Sequence, residues 1–202
     1  MIMFQAIKTL VFGSGVKEAV FERWLQSLSF SVKEPCALVQ HAGGPCAVLA
    51  PLQAFIIRRC LINKIGDMTS LTRDTVTRLL VEAMVDMLTQ CSSGQEMMLA
   101  RVSREVAQII QDTSEHSNSK RPRHDGEMVD IDTFHTFLIL ETFNNAKNLQ
   151  NYLEDNFHDL FGTKYDVVSF LYSVVLTKGP DIVSAERQDA DESLIGKNDI
   201  FV

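Results

Sequence analysis

The stretch that decides the fold is a glycine-rich turn that delivers a cysteine to the start of an apolar segment. It reads Gln40-His41-Ala42-Gly43-Gly44-Pro45-Cys46 and continues as Ala47-Val48-Leu49-Ala50-Pro51-Leu52-Gln53-Ala54-Phe55-Ile56-Ile57. Proline is favoured in the first turn of a helix, where its missing N–H needs no partner, so the pattern predicts a helix from about Pro45. Cys46 would then lie beside the unpaired N–H groups and the positive end of the helix dipole, which favour a thiolate. The amide of Gln40 could donate to an oxyanion formed when Cys46 attacks a carbonyl.

Two interpretations of Cys46 are open on these residues alone. A free cysteine in an apolar run is commonly an inert core residue that packs like a small hydrophobic side chain. A cysteine at an accessible helix N-terminus is instead a candidate nucleophile. The spacing of the segment fits both interpretations.

Three segments of the chain resemble the MINDY family of deubiquitinating cysteine proteases. In that family a Gln, a Gly-Gly-Pro-Cys turn and a helix with a Pro-x-Gln-Ala-Phe pattern stand in the same order, as they do here between Ala37 and Ile57. One branch has a helix reading Ala-Val-Ile-Ala-Pro-Val-Gln-Ala-Phe, which is similar to residues 47–55. The same branch has a Phe-Leu-Tyr-Ser-Val-Leu-Leu-Thr-Lys-Gly signature, similar to residues 170–179, and a Phe-x-Arg-Trp pattern, similar to residues 21–24. The likeness covers most of residues 16–196.

The resemblance implies a fold and roles for particular residues. It implies that Cys46 is the nucleophile and that Gln40 is the oxyanion-hole donor. The expected fold class is α+β with a papain-like cysteine protease architecture, in which a central buried helix begins at the nucleophile and a few strands accompany the helices. Gly43 and Gly44 have no side chains, so the narrow Gly-Gly tail of ubiquitin could approach closely there, and both are candidate substrate-binding residues.

A thiol protease also needs a base, and histidine is the usual one. The chain has five histidines, namely His41, His116, His124, His135 and His158. The resemblance implies that His135 belongs to the scaffold and that the catalytic histidine follows a Gly-rich stretch beyond the Leu-Thr-Lys-Gly signature. We therefore expect that the general-base histidine is not in this chain. We also expect that the C-terminal strands are missing and that residues 1–202 form one incomplete catalytic domain.

Composition narrows the classes of function. The net charge of −7 gives no electrostatic reason to expect nucleic acid or an anionic membrane as a partner, and no stretch approaches the ~20 apolar residues of a membrane span. The four cysteines show no paired metal spacing such as C-x-x-C. We expect reduced thiols in a cytoplasmic or nuclear protein, with no metal and no cofactor.

Hydrophobic periodicity predicts the other elements. Helices are predicted over residues 3–12, 16–28, 45–62, from about 70 to 90, and 103–111, with the first half of the cysteine helix buried on every side. A strand is predicted over 96–102. Asp112–Met128 is predicted to be a mobile loop and Phe134–Phe143 a buried strand. A helix is predicted over Leu149–Phe161, a second buried run over Val167–Leu176, and an exposed tail over Asp181–Val202.

Two classes of function remain. The first is a ubiquitin carboxyl-terminal hydrolase in which Cys46 attacks the isopeptide carbonyl at the ubiquitin C-terminus, with ubiquitin and polyubiquitin chains as partners. The second is a non-catalytic scaffold protein that binds ubiquitin chains. A nucleotide-binding protein is disfavoured because the chain has no phosphate-cradling glycine motif.

Overall fold

A computed structural model describes residues 2–13, 15–116 and 130–188 of the chain. These residues form ten helices and two strands, so the fold class is α+β, as predicted. In chain order the elements are α1 (Ile2–Phe12), α2 (Glu18–Trp24), α3 (Cys46–Ile62), α4 (Arg73–Ser92), β1 (Met97–Val102), α5 (Arg104–His116), α6 (Ile131–Phe137), β2 (Leu138–Phe143), α7 (Ala146–Asp155), α8 (Phe157–Leu160), α9 (Asp166–Lys178) and α10 (Pro180–Gln188).

Helices α4 and α9 form the centre of the core. Helix α4 contacts α3, α7, α9 and β1, and α9 packs along β1. Most of the side chains of α9 are buried, including Tyr172, which is fully enclosed. The side chain of Thr72 caps α4 by accepting from the N–H of Thr75, so this long helix begins at Arg73, close to the predicted start at about residue 70.

Helix α3 carries the cysteine, but only one of its faces is buried. Its inner side chains, Val48, Leu49, Leu52, Ile56 and Cys60, pack into the core. Its outer face is exposed and mostly apolar, with Ala47, Ala50 and Ala54 near the start and Ile57 and Leu61 further along, 41% and 67% exposed. The prediction that the first half of this helix is buried on every side is therefore wrong. Composition misled it, because alanine looks apolar in a sequence yet leaves little surface to bury.

Strands β1 and β2 form an antiparallel pair in which Met97 lies opposite Phe143 and Val102 lies opposite Leu138. The other edge of β1 is covered by hydroxyl groups of α9. Ser173 Oγ accepts from the N–H of Ala100 at 2.8 Å, and Thr177 Oγ1 accepts from the N–H of Met98 at 2.9 Å. Two helix side chains thereby satisfy backbone groups that would otherwise need a third strand.

Two predicted apolar runs have a different structure from the one expected. Phe134–Phe143 is not one strand: α6 occupies its first part and β2 begins at Leu138. The side chain of Asp130 accepts from the N–H groups of Asp132 and Thr133 and so starts α6. The buried run Val167–Leu176 lies within α9. A continuous apolar run has no period that separates a buried helix from a buried strand.

Other boundaries also differ from the predictions. Helix α2 ends at Trp24 rather than Leu28, and Leu149–Phe161 is divided between α7 and α8. The predicted loop at Asp112–Met128 is wrong at its start, since α5 continues to His116, and its remainder lies outside the described residues. The predicted exposed tail begins as helix α10, and residues 189–202 lie outside the described part.

Within the described ranges no single helix has the length and apolar character to cross a bilayer. Among the described helices, one pair, α9 and the following α10, has that length and apolar character when taken together, and the two helices meet at a bend of 87°.

Replacing Ser173 with alanine tests the cover on β1. The change leaves the buried N–H of Ala100 without its acceptor, so we expect the free energy of unfolding to fall by about 1–3 kcal/mol. Urea denaturation followed by circular dichroism measures this.

Ser169, one turn earlier on α9, is the matched control. Its hydroxyl is buried and has no partner among the described residues. Ser169→Ala should therefore change stability by less than about 0.5 kcal/mol or raise it. Equal losses in the two variants would contradict the role given to the Ser173 hydroxyl.

Candidate active site

Cys46 is the first residue of α3, and its side chain is exposed. The carbonyl of Pro45 accepts from the N–H groups of Val48 and Leu49, at 2.9 and 3.0 Å, so the helix begins at the cysteine. The first N–H groups of a helix have no carbonyl partner within it, and they lie beside this thiol. Cys46 Sγ lies 3.8 Å from the carbonyl oxygen of Gly44. The structure thus places the thiol where the sequence predicts, while its role as a nucleophile stays a prediction.

The other three cysteines are placed differently. Cys36 and Cys60 are buried, and Cys91 is half-buried near the end of α4. Burial raises the pKa of the Cys60 and Cys91 thiols, which keeps both protonated at neutral pH. Cys46 is therefore the accessible cysteine of the four.

The two glycines before Pro45 have different structural constraints. Gly44 has φ = +133°, and a Cβ at this position would lie 3.0 Å from Trp24 Nε1. Only glycine fits there, because a side chain would be strained and would press on the buried indole. A Cβ at Gly43 would meet no atom within 4 Å. The open space at Gly43 leaves room for another chain to approach, and the substrate-binding role of both glycines stays a prediction.

Gln40 is exposed and its amide lies against the turn itself. Gln40 Nε2 donates to the carbonyl oxygen of Ala42 at 2.9 Å. The side chain that the sequence proposes as the oxyanion donor is thus tethered within the same short segment as Cys46. Its catalytic role is not tested by this arrangement.

Gln26, which the sequence analysis missed, holds this turn in place. Its side chain is only 5% exposed. Its Oε1 accepts from the N–H groups of His41 and Ala42, at 2.7 and 3.1 Å, and its Nε2 donates to the carbonyl of Ala42 at 3.0 Å. The sequence contains one signal for this role, a glutamine that lies between the apolar residues Leu25 and Leu28. A polar side chain that is buried in an apolar stretch needs a hydrogen-bond partner.

A second glutamine braces the segment that leads to the turn. Gln53 projects from α3, and its Oε1 accepts from the N–H of Leu38 at 2.7 Å. Its Nε2 donates to the carbonyl of Cys36 at 3.0 Å. These bonds fasten the chain just before Gln40 to the same helix that Cys46 begins.

The first turn of α9 anchors the segment that carries Gln26. Asp166, 4% exposed, accepts from the backbone N–H groups of Leu28, Gly162 and Thr163 and from the Thr163 hydroxyl. Burial raises the pKa of Asp166 to about 6 in spite of these donors. The N–H of Val167 donates to the carbonyl of Gln26 at 3.1 Å.

Two of the histidines, His41 and His135, are hydrogen-bonded to side chains other than that of Cys46. His41 Nε2 lies 2.7 Å from the hydroxyl of Ser29. His135 is buried, stacks on Phe4, and its Nε2 lies 2.7 Å from the hydroxyl of Tyr172. Burial lowers the pKa of His135 to about 4, so this ring is neutral at pH 7. Among the side chains that the structure describes, which exclude those of residues 111–129, no histidine ring is hydrogen-bonded to Cys46 Sγ.

Three further histidines give no structural support for a base. His158 is exposed on α8, and the side chains of His116 and His124 lie outside the described part of the chain. The described ranges also contain no cluster of three or more His, Cys, Asp or Glu side chains that could hold a metal ion.

Comparison with known proteins identifies the family. A family model described as "Deubiquitinating enzyme MINDY-3/4, conserved domain" matches residues 8–202. The chain belongs to the MINDY-3/4 family. The resemblance found in the sequence is thereby confirmed. No solved structure matches the chain.

Several curated relatives carry MINDY names. The Ubiquitin carboxyl-terminal hydrolase MINDY-3 homolog of Drosophila melanogaster is 33% identical over 94% of this chain and 40% of its own length. Ubiquitin carboxyl-terminal hydrolase MINDY-3 of Xenopus tropicalis is 34% identical over 90% of this chain and 43% of its own length. The human Probable ubiquitin carboxyl-terminal hydrolase MINDY-4 is 28% identical over 92% of this chain and 23% of its own length. The chain therefore spans less than half the length of these relatives.

The buried, neutral His135 should make stability depend on pH. Its folded pKa, about 4, lies below the ordinary value of 6.5, so its contribution is complete above pH ~6.5 and is lost as the pH falls toward 4. Between pH 7 and pH 5 the wild type should lose about 2 kcal/mol more stability than His135→Gln, which has no titrating ring. Urea denaturation of both proteins at the two pH values measures the difference.

Comparing two proteins is necessary because Asp166 acts in the opposite direction. Its folded pKa is raised, so it adds stability as the pH falls through about 6. This contribution is common to the wild type and to His135→Gln and cancels in the difference. Parallel pH profiles for the two proteins would rule out the assigned titration of His135.

Proposed function

We propose that this chain forms the nucleophile-bearing part of a cysteine-type ubiquitin carboxyl-terminal hydrolase that removes ubiquitin from polyubiquitin chains. The observation that carries the proposal is the exposed Cys46 at the first position of α3, in a member of the MINDY-3/4 family. Curated relatives that match over most of this chain are named ubiquitin carboxyl-terminal hydrolases.

In the proposed reaction the Cys46 thiolate attacks the isopeptide carbonyl at the ubiquitin C-terminus. The sulfur–carbon bond forms, the carbonyl oxygen becomes an oxyanion, and collapse releases the lysine amine once it has gained a proton. Water then hydrolyses the thioester and frees Cys46. The backbone N–H of Cys46 and the Gln40 amide are the proposed oxyanion donors. Gln40 would exchange its bond to the Ala42 carbonyl for one to the oxyanion.

The proposal places the general-base histidine outside this chain. His41 is engaged with Ser29, and His135 is buried against Tyr172 with its pKa lowered. A base must hydrogen-bond to the thiol directly or through one water, and both of these rings are bonded to other side chains.

A papain-like architecture is part of the same proposal. In such proteases the nucleophile begins a helix that other elements cover, and α3 begins at Cys46. The exposed apolar side chains Ile57 and Leu61 on its outer face are suited to further packing. We also propose a reducing location, in the cytoplasm or nucleus, because all four cysteines are free.

A non-catalytic protein that binds ubiquitin chains is the second candidate. The favouring observation is that Cys46 Sγ has no histidine partner among the described side chains, while the turn before it is held by several hydrogen bonds. Such a protein would keep the surface around Cys46 for recognition and would not need a base.

Ubiquitin with a C-terminal alkyne electrophile separates the two candidates. We expect this reagent to label the chain at Cys46, detected by a mass increase of one ubiquitin, and Cys46→Ala to abolish labelling. Cys91→Ala, which removes a half-buried thiol, is the matched control and should label like the wild type. Ubiquitin binding without covalent labelling would support the non-catalytic candidate instead.

The 202-residue chain by itself should not turn over polyubiquitin repeatedly. Turnover requires a proton for the leaving amine and an activated water, and both tasks belong to a base. Gel analysis of polyubiquitin incubated with a substoichiometric amount of this protein should therefore show no accumulation of free ubiquitin. Repeated cleavage that is lost in His135→Ala and kept in His41→Ala would show that His135 is the base.

A further inference from the structure

The backbone N–H and carbonyl of Ala42 are hydrogen-bonded to two glutamine side chains, one buried and one exposed. Gln26 Oε1 accepts from the Ala42 N–H at 3.1 Å, and Gln26 Nε2 donates to the Ala42 carbonyl at 3.0 Å. The same carbonyl accepts from Gln40 Nε2 at 2.9 Å. A carbonyl oxygen has two lone pairs, so the two amides can bind it together.

Gln26 and Gln40 differ in how firmly they are held. The Gln26 side chain is buried, and its Nε2 also contacts the carbonyl of Arg23. Its own carbonyl accepts from the N–H of Val167 in α9 at 3.1 Å. Gln40 is exposed, and its one described side-chain bond is the one to Ala42. Of the two amides on this carbonyl, Gln26 is fixed and Gln40 is free to turn.

We propose that Gln26 is a positioning residue of the Cys46 site, which keeps the Ala42 carbonyl bonded when the Gln40 amide turns toward the oxyanion. The inference rests on the proposed hydrolase function and adds a residue to it. Without Gln26, departure of Gln40 would leave a part-buried carbonyl with no described donor, and that penalty would hold Gln40 on the turn. With Gln26 in place, Gln40 exchanges one acceptor for another.

Gln26 also restricts which backbone groups can serve the site. Its Oε1 occupies the N–H groups of both His41 and Ala42. These two donors are therefore not free for an oxyanion. The same bonds fix the start of the turn that ends at Cys46.

A double-mutant cycle with ubiquitin aldehyde tests the coupling. The Cys46 sulfur adds to the aldehyde carbon, and the thiol proton passes to the former carbonyl oxygen, so a hemithioacetal forms with no leaving group. Its oxygen occupies the oxyanion position. We expect Gln26→Met, which keeps the volume and removes the polar atoms, to weaken binding about tenfold when Gln40 is present. In the Gln40→Ala background the same change should cost less than about twofold.

Gln53→Met is the matched control for general loosening of the segment. Gln53 also holds backbone groups with both ends of its amide, at Cys36 and Leu38, but it makes no described contact with Ala42. Any loss it causes should be the same with and without Gln40. If Gln26→Met likewise costs the same factor in both backgrounds, Gln26 only supports the fold and the proposal is overturned.

Backbone amide exchange tests the holding role without any ubiquitin reagent. The N–H groups of His41 and Ala42 should be protected in the wild type and should exchange at least tenfold faster in Gln26→Met. Unchanged exchange at both amides would overturn the holding role.

Gln26→Glu serves if Gln26→Met does not fold. It keeps the acceptor for the two N–H groups, and as a carboxylate it cannot donate to the Ala42 carbonyl. It should therefore keep the exchange protection of the two N–H groups. Like Gln26→Met, it should weaken binding of ubiquitin aldehyde strongly only when Gln40 is present.

The outcomes separate this inference from the function on which it rests. If the wild-type chain does not bind ubiquitin aldehyde, the hydrolase proposal is overturned, and the coupling between Gln26 and Gln40 is overturned with it. The amide-exchange data then decide whether Gln26 holds the turn. A wild-type chain that binds the aldehyde but shows no coupling overturns only the positioning role of Gln26.

Discussion

The buried carboxylate of Asp166 connects the parts of this chain that have no regular structure of their own. It accepts hydrogen bonds from Leu28 on one side and from Gly162 and Thr163 on the other. Because it begins α9, the described helix with the largest share of buried side chains, it ties the segment after α2 to the core. A carboxylate is costly to bury unless donors surround it, so this residue fixes the loops in one arrangement.

From Asp166 a series of hydrogen bonds leads to Cys46. The N–H of Val167 holds the carbonyl of Gln26, and the side chain of Gln26 holds His41 and Ala42. Gly44 then packs against the indole of Trp24, and Pro45 starts the helix. The position of the cysteine is thus set by buried hydrogen bonds and by the close contact between Gly44 and Trp24. Helix propensity acts only on the residues that follow the cysteine. Satisfied polar networks of this kind specify one geometry, because a shift would leave buried groups unpaired.

The sequence predicted the parts of this arrangement that have local causes. The start of α3 follows from a proline and the glycines before it, and the strand at 97–102 and helix α4 follow from periodicity and a threonine cap. The parts it missed depend on distant partners. Helix α2 stops at Trp24, and the side chain of Gln26 reaches the backbone of His41 and Ala42, partners that lie 15 and 16 residues away in the sequence. The apolar run at 167–176 lies in a helix whose Ser173 and Thr177 hydroxyls satisfy the edge of β1, which again is a long-range contact.

The two faces of α3 explain how an apolar helix can present an exposed thiol. Residues three to four apart share a face of a helix, so Cys46 lies in line with Ala50, Ala54 and Ile57, all exposed. The opposite face, with Leu49, Leu52 and Ile56, packs in the core and against α4. The side chains near the thiol on the outer face are alanines, and the turn before it is glycine, so little bulk surrounds the sulfur. The small residues that made α3 look like a buried helix are thus the ones that leave the Cys46 thiol exposed.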